Sequence, residues 1–128
     1  MPEEIKELKN IIGEDDEYEV SYDAETITIY FKGELALGGA SEYEPIKNLL
    51  NDIVEAQPAT ITLNLEELEF CNSSGISMLS KFVLGLRKKK GIEVFVSGSN
   101  EIPWQSKSLQ NLTKLLPKRL TLEFKGGE

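Results

Sequence analysis

Leu65-Glu66-Glu67-Leu68-Glu69-Phe70-Cys71-Asn72-Ser73-Ser74-Gly75-Ile76 is the stretch on which the reading of this chain turns. Before it, Ala59-Thr60-Ile61-Thr62-Leu63-Asn64-Leu65 alternates apolar and polar residues and is rich in β-formers, which predicts a strand. After it, Ile76, Leu79, Phe82, Val83 and Leu86 recur at helical spacing. The stretch is therefore read as strand, polar loop, helix start. In open α/β sheets, loops at the carboxyl ends of strands are preferred functional sites. Asn72, Ser73, Ser74 and Gly75 can each cap a helix, and one cap is enough. Three small polar residues with a glycine make a tight turn carrying two hydroxyls. A phosphoryl group there would meet free backbone N–H groups and the positive end of the helix dipole. Simple capping and a functional serine both remain open on the residues alone.

Working outward, Tyr18, Val20, Tyr22 and then Ile27, Ile29, Phe31 alternate, predicting a hairpin turning at Asp23–Thr26. Ile46, Leu49, Leu50, Ile53 and Val54 form a helical stripe, starting either at a Ser41/Glu44 capping box or at Pro45. The helix after Gly75 closes on Arg87-Lys88-Lys89-Lys90-Gly91, a C-terminal signature of cations and glycine. Ile92–Val96 reads as a central strand, Leu109, Leu112, Leu115 and Leu116 as a helix stopped by Pro117, and Leu120, Leu122, Phe124 as a last strand. Ile5, Leu8, Ile11 and Ile12 fit a short N-terminal helix behind Pro2. Strands alternating with helices imply a mostly parallel sheet. The expectation is one α/β domain with a mixed sheet of about five strands. Residues 1–16 would be a helical extension and 17–128 the domain.

Composition narrows the chemistry. The 128 residues carry no histidine and one cysteine, so Ser-His and His-metal arrangements, an internal disulfide and a zinc cluster are excluded. Net charge is -8, which disfavours nucleic acid as a partner. Residues 1–60 hold 15 acids and 4 bases, and the remainder 7 acids and 10 bases, an asymmetry that suits an electrostatically steered protein partner. No apolar run approaches the ~18–20 residues of a membrane span, and Met1-Pro2-Glu3-Glu4 is unlike a signal peptide. A cytoplasmic setting without cofactor, catalytic residue or metal is expected. Glu14–Glu17 and Glu66, Glu67 and Glu69 read as solvated acids, and Cys71 as buried packing. Trp104 reads as core packing or a helix-start contact, with a partner anchor as the alternative.

Asn64–Leu79 resembles the signature of the STAS family, the anti-sigma factor antagonist domains, in which an aspartate after a strand precedes Asp-Ser-Ser-Gly opening a helix. Phe31-Lys32-Gly33-Glu34-Leu35 is similar to the family's Gly-Glu-Leu-Asp strand ending. The element order matches from about Glu17 to Phe124. The resemblance implies a STAS-like fold and a partner-switching role in transcription regulation. A serine kinase of the anti-sigma type would phosphorylate the serine before the glycine and be released. A metal-dependent serine phosphatase would restore binding. By position the acceptor is Ser74, with Ser73 a secondary acceptor, and the partner interface comprises Asn72, Ser73, Ser74, Gly75, Glu34, Leu35 and Ala36. Gly75 would admit a partner backbone closely. Asn64, Asn72 and Ala36 stand where the family usually has aspartate. Asn72 keeps its capping ability without the charge. A monomer or weak homodimer is expected. The alternatives are a constitutive scaffold of the same fold, and a small-ligand carrier or enzyme needing a pocket of ~300–1,000 Å³.

Overall fold

The alternating segments assemble into a single sheet onto which the amphipathic helices fold. The computed structural model describes residues 9–13, 17–39, 41–89 and 91–126. Its elements are β1 (Lys9–Ile12), β2 (Tyr18–Asp23), β3 (Thr28–Leu35), α1 (Glu44–Glu55), β4 (Thr60–Cys71), α2 (Ser73–Gly85), β5 (Glu93–Ser99), α3 (Pro103–Leu115) and β6 (Leu120–Lys125). The six strands lie in chain order, β1-β2-β3-β4-β5-β6. The first three are antiparallel neighbours, and β3 to β6 run parallel. Each parallel step is joined through one helix. Consecutive right-handed crossovers advancing in one direction lay α1, α2 and α3 on the same face.

Burial follows that arrangement. Val20, Ile29, Phe31, Ile61, Leu63, Val94 and Val96 alternate onto the helix-covered face and are buried. They meet Ile46, Leu50 and Ile53 of α1, Leu79 and Val83 of α2, and Leu109 and Leu112 of α3. Burying each such side chain contributes roughly 1.5–3 kcal/mol before entropy is charged against it. The opposite face carries Ser21, Tyr30, Lys32, Thr62, Asn64 and Glu123, none of which is buried. The row Ser21–Tyr30–Asn64–Ser97–Glu123 crosses it in register.

Four expectations change. Ile11 and Ile12 lie in β1, opposite Val20 and Glu19, so this part of the expected N-terminal helix is an edge strand. The rest of that helix, Ile5 and Leu8 included, falls outside the described residues, as do Glu14–Asp16 of the acidic run. The sheet has six strands rather than about five because β1 joins it. Of the expected polar loop Glu66–Asn72, Glu66–Cys71 is strand, continuing β4 along β3 with Lys32 opposite Glu67 and Leu35 opposite Cys71. Register shifts within this pairing break the two-residue alternation, so Leu65, Leu68 and Cys71 are buried at a spacing of three. At the start of α1, Pro45 is in the first turn and Tyr43 is the N-cap without a side-chain cap bond, so the Ser41/Glu44 capping box does not form.

Candidate functional site

β4 outruns β5. Pairing with β5 stops at Asn64 opposite Ser97, leaving Leu65–Cys71 without a strand on that side. The first turn of α3 fills the gap with side chains. Gln105 is fully buried, and its Nε2 donates to the Leu65 and Leu68 carbonyls at 2.7 and 3.0 Å. Its Oε1 accepts from the Ser99 N–H at 2.7 Å. The Trp104 indole N–H donates to the Glu69 carbonyl at 3.0 Å, making Trp104 a helix-start contact. Ser97 Oγ also donates to Glu66 Oε2. These bonds carry the end of β4 outward as a rigid arm that delivers Asn72 to the start of α2.

At that end the ladder runs one residue beyond the strands, as the Asn72 N–H donates to the Leu35 carbonyl at 2.9 Å. Asn72 is the N-cap of α2 and its Oδ1 accepts from the Gly75 N–H at 2.9 Å. The Tyr43 hydroxyl donates to the same Oδ1 at 2.8 Å. Asn72 Nδ2 donates to the Leu37 carbonyl at 2.9 Å, and the Leu37 N–H donates back to the Tyr43 hydroxyl at 3.3 Å. Leu37, Tyr43 and Asn72 thus form a closed ring joining the loop after β3, the start of α1 and the start of α2. Burial pushes the Tyr43 hydroxyl above its ordinary value of 10.0, so it stays a donor; its bond to the Leu37 backbone acts in the opposite direction.

The ring sets out the sequence-selected residues. Ser73 is exposed and Ser74 half-buried on the first turn of α2. The first N–H groups of a helix have no intrahelical partner, which favours negative charge beside them. Glu34 and Ala36 are exposed at the end of β3, adjacent to the serines through the pairing of Leu35 with Cys71. Leu35 is fully buried, so it offers its carbonyl to Asn72 rather than a side chain to a partner. Gly75 is buried as well. A Cβ there would come within 2.6 Å of Cys71 Sγ and 2.8 Å of Tyr43 Oη, so the close approach at Gly75 comes from the chain itself and not from a partner backbone. Cys71 is 5% exposed, and burial pushes its thiol up to about 12. Asn64 is remote from this end, in mid-β4, where its Oδ1 accepts from the Glu66 N–H at 3.0 Å. Gly33 is needed for the ending of β3. Its φ is +85°, and a Cβ would strike the Glu17 carbonyl oxygen.

Besides Tyr43 and Gln105, three neighbours of the site are not marked by any motif in the sequence. Phe70, opposite Glu34, is 47% exposed just before Asn72. Lys47 and Lys81 line a groove of about 220 Å³ between α1 and α2 together with Ser74, Met78 and Phe82. Helical spacing from Ser74 through Met78 to Lys81 was the available signal for the groove. Its volume is below the usual range for a small-molecule site. A wider hollow of about 470 Å³ lies among the loops at the opposite end of the sheet, lined by Gln57, Pro58, Ala59, Lys89, Gly91 and Ile92. Among the described residues there is no metal-ligating group of three His, Cys, Asp or Glu, and no helix long and apolar enough to cross a membrane.

The model of the STAS domain family matches residues 19–123. SiaC of Pseudomonas aeruginosa is similar in fold, with TM-score 0.68 at 10% identity over 93% of this chain and 99% of that one. The structure of the Pseudomonas aeruginosa diguanylate cyclase SiaD in complex with its activator SiaC also matches, at TM-score 0.68 and 9% identity over 91% and 99%. An anti-sigma factor antagonist from Mycobacterium paratuberculosis matches at TM-score 0.54 and 16% identity over 91% and 86%. No curated protein sequence matches the chain.

Proposed function

The chain belongs to the STAS domain family, and on that premise we propose that it is a non-enzymatic, cytoplasmic regulator in a partner-switching pathway. It docks a serine kinase of the anti-sigma type through the end of the sheet that carries Glu34, Ala36, Asn72, Ser73 and Ser74. Phosphorylation of Ser74 ends that docking and a serine phosphatase restores it. The STAS-like domain spans 17–128, with residues 1–16 an extension that contributes β1.

The observation that carries this reading is the Leu37–Tyr43–Asn72 ring. It holds the first turn of α2 by both backbone and side chain while leaving Ser73 exposed and Ser74 half-exposed. In the transfer, Ser74 Oγ forms the new bond to the γ-phosphorus of ATP, the bond to ADP breaks, and the hydroxyl proton passes to a base of the kinase. The product adds roughly -1.5 to -2 charges. On a surface held this firmly the switch acts by charge and bulk at the interface, without refolding. SiaC is described as the activator of a diguanylate cyclase, and the mycobacterial neighbour as an anti-sigma factor antagonist. These descriptions support a proposed downstream output of one of two classes, a signalling enzyme or a sigma-factor circuit.

The test is the affinity for the host kinase of Ser74→Ala and Ser74→Asp chains. Retained binding for Ser74→Ala with loss of at least tenfold for Ser74→Asp is expected. Equal affinity contradicts the switch. It would favour the constitutive scaffold, a reading that the structural use of Asn72 in three hydrogen bonds also suits.

A further inference from the structure

The groove between α1 and α2 has an apolar floor of Leu50, Met78 and Phe82 and a basic rim of Lys47 and Lys81. Its titratable lining groups are Tyr43, Lys47 and Lys81, and no carboxylate lines it. That is unusual in a chain of net charge -8. Lys47 is half-buried and Lys81 exposed, and among the described residues neither lysine is held in an ion pair. Two lysines lining one groove that no carboxylate lines leave a place for an anion. A volume of about 220 Å³ suits a group the size of a phosphoryl or a single side chain. Of the two adjacent serines that open α2, Ser74 lines the groove, as does Ser77 one turn on, and Ser73 does not.

We propose that this groove is the receiving site for a phosphoryl group carried on Ser74, with Lys47 and Lys81 as its counter-charges. The inference rests on the phosphorylation reading and deepens it. The modified side chain lies down between α1 and α2 rather than standing out at the end of the sheet. The groove is then filled in one state and open, with two free cations, in the other. Ser74 is thereby distinguished from Ser73, whose phosphoryl group would remain in solvent.

The test needs no kinase. Phosphoserine is installed at position 74 by genetic-code expansion in the full chain, and its second ionisation is followed by phosphorus NMR against pH. The midpoint in the folded chain is expected to lie roughly one pH unit below that of the same chain in urea. Lys47→Gln with Lys81→Gln should return more than half of that difference. The remainder is the contribution of the helix terminus. Phosphoserine at position 73 should be insensitive to the double substitution. Circular dichroism establishes that the variants are folded. An equal midpoint for the Ser74 phosphate with and without the two lysines overturns the proposal, and so does an equal lysine dependence at Ser73. Either result leaves phosphorylation by a kinase standing, because the modification is introduced synthetically. Conversely, a lysine-dependent midpoint in a chain that its host never phosphorylates would separate the groove's chemistry from the switch.

Discussion

The Asn72 side-chain amide donates to the Leu37 carbonyl oxygen at 2.9 Å, fastening the start of α2 to the loop after β3. An ionised aspartate has no proton to give. Where the family usually has aspartate, this chain has the isostere that can both accept from Tyr43 and Gly75 and donate to Leu37. The departure from the family pattern is thus a structural bond gained as well as a charge lost.

Asn72→Asp should accordingly destabilise the chain at neutral pH by about 1–3 kcal/mol, since it sets a carboxylate oxygen against the Leu37 carbonyl. Urea denaturation at pH 7 checks this. Stability equal to the unsubstituted chain would show that the Leu37 bond contributes nothing net.

Gly75→Ala forces a methyl group towards Cys71 Sγ and Tyr43 Oη, at 2.6 and 2.8 Å before any shift. A cost of about 1–3 kcal/mol is expected. Cys71→Ala in the same chain removes the sulfur and should recover part of that cost. The two effects are therefore non-additive, as expected of residues in contact.

Gln105→Leu keeps bulk but leaves the Leu65 and Leu68 carbonyls and the Ser99 N–H without their partner. Each orphaned buried group costs about 1–3 kcal/mol. The loss should appear in hydrogen exchange as faster opening of residues 65–71, with β5 less affected. Uniform acceleration across the sheet would mean that Gln105 supports the core in general and not the β4 arm.

Burial pushes the Cys71 thiol from its ordinary value of 9.0 up to about 12. The folded state therefore holds this proton more tightly than the unfolded state. Its contribution is fully present below pH 9 and is lost as pH rises from about 9 towards 12. Tyr18, Tyr22 and Tyr43, all raised by burial, act in the same direction above their ordinary 10.0. Stability measured from pH 9 to 11 should decline, and Cys71→Ala should flatten that decline. At neutral pH the native thiol should react with a disulfide reagent far more slowly than in urea.

The parallel half of the fold was legible because its signals are local and regular. The stripes at Ile46–Val54 and Ile76–Leu86 and the alternation at Thr60–Leu65 each announce one element. What was hidden depends on pairing. Lys9–Ile12 is too short to show alternation, and Ile5, Leu8, Ile11 and Ile12 satisfy a helical period equally well. Glu66–Cys71 is strand only because β3 lies beside it, and register shifts erase its period. At the site, Asn72, Ser73 and Ser74 could be named from sequence. Gly75 could be named too, but not its close packing against Cys71 and Tyr43. The partners Tyr43 and Leu37 lie 29 and 35 residues from Asn72, beyond the reach of any local pattern. Gln105 had left a trace, as a polar residue in phase with buried Leu109 and Leu112 on α3.

The most direct measurement is intact-mass and fragmentation spectrometry on the protein taken from its own host, grown with and without stress. A phosphoryl group localised to Ser74, with occupancy that changes between conditions, is the expected result. Unmodified protein in every condition, together with wild-type behaviour of Ser74→Ala, would contradict the switch and leave a scaffold whose serines only open a helix.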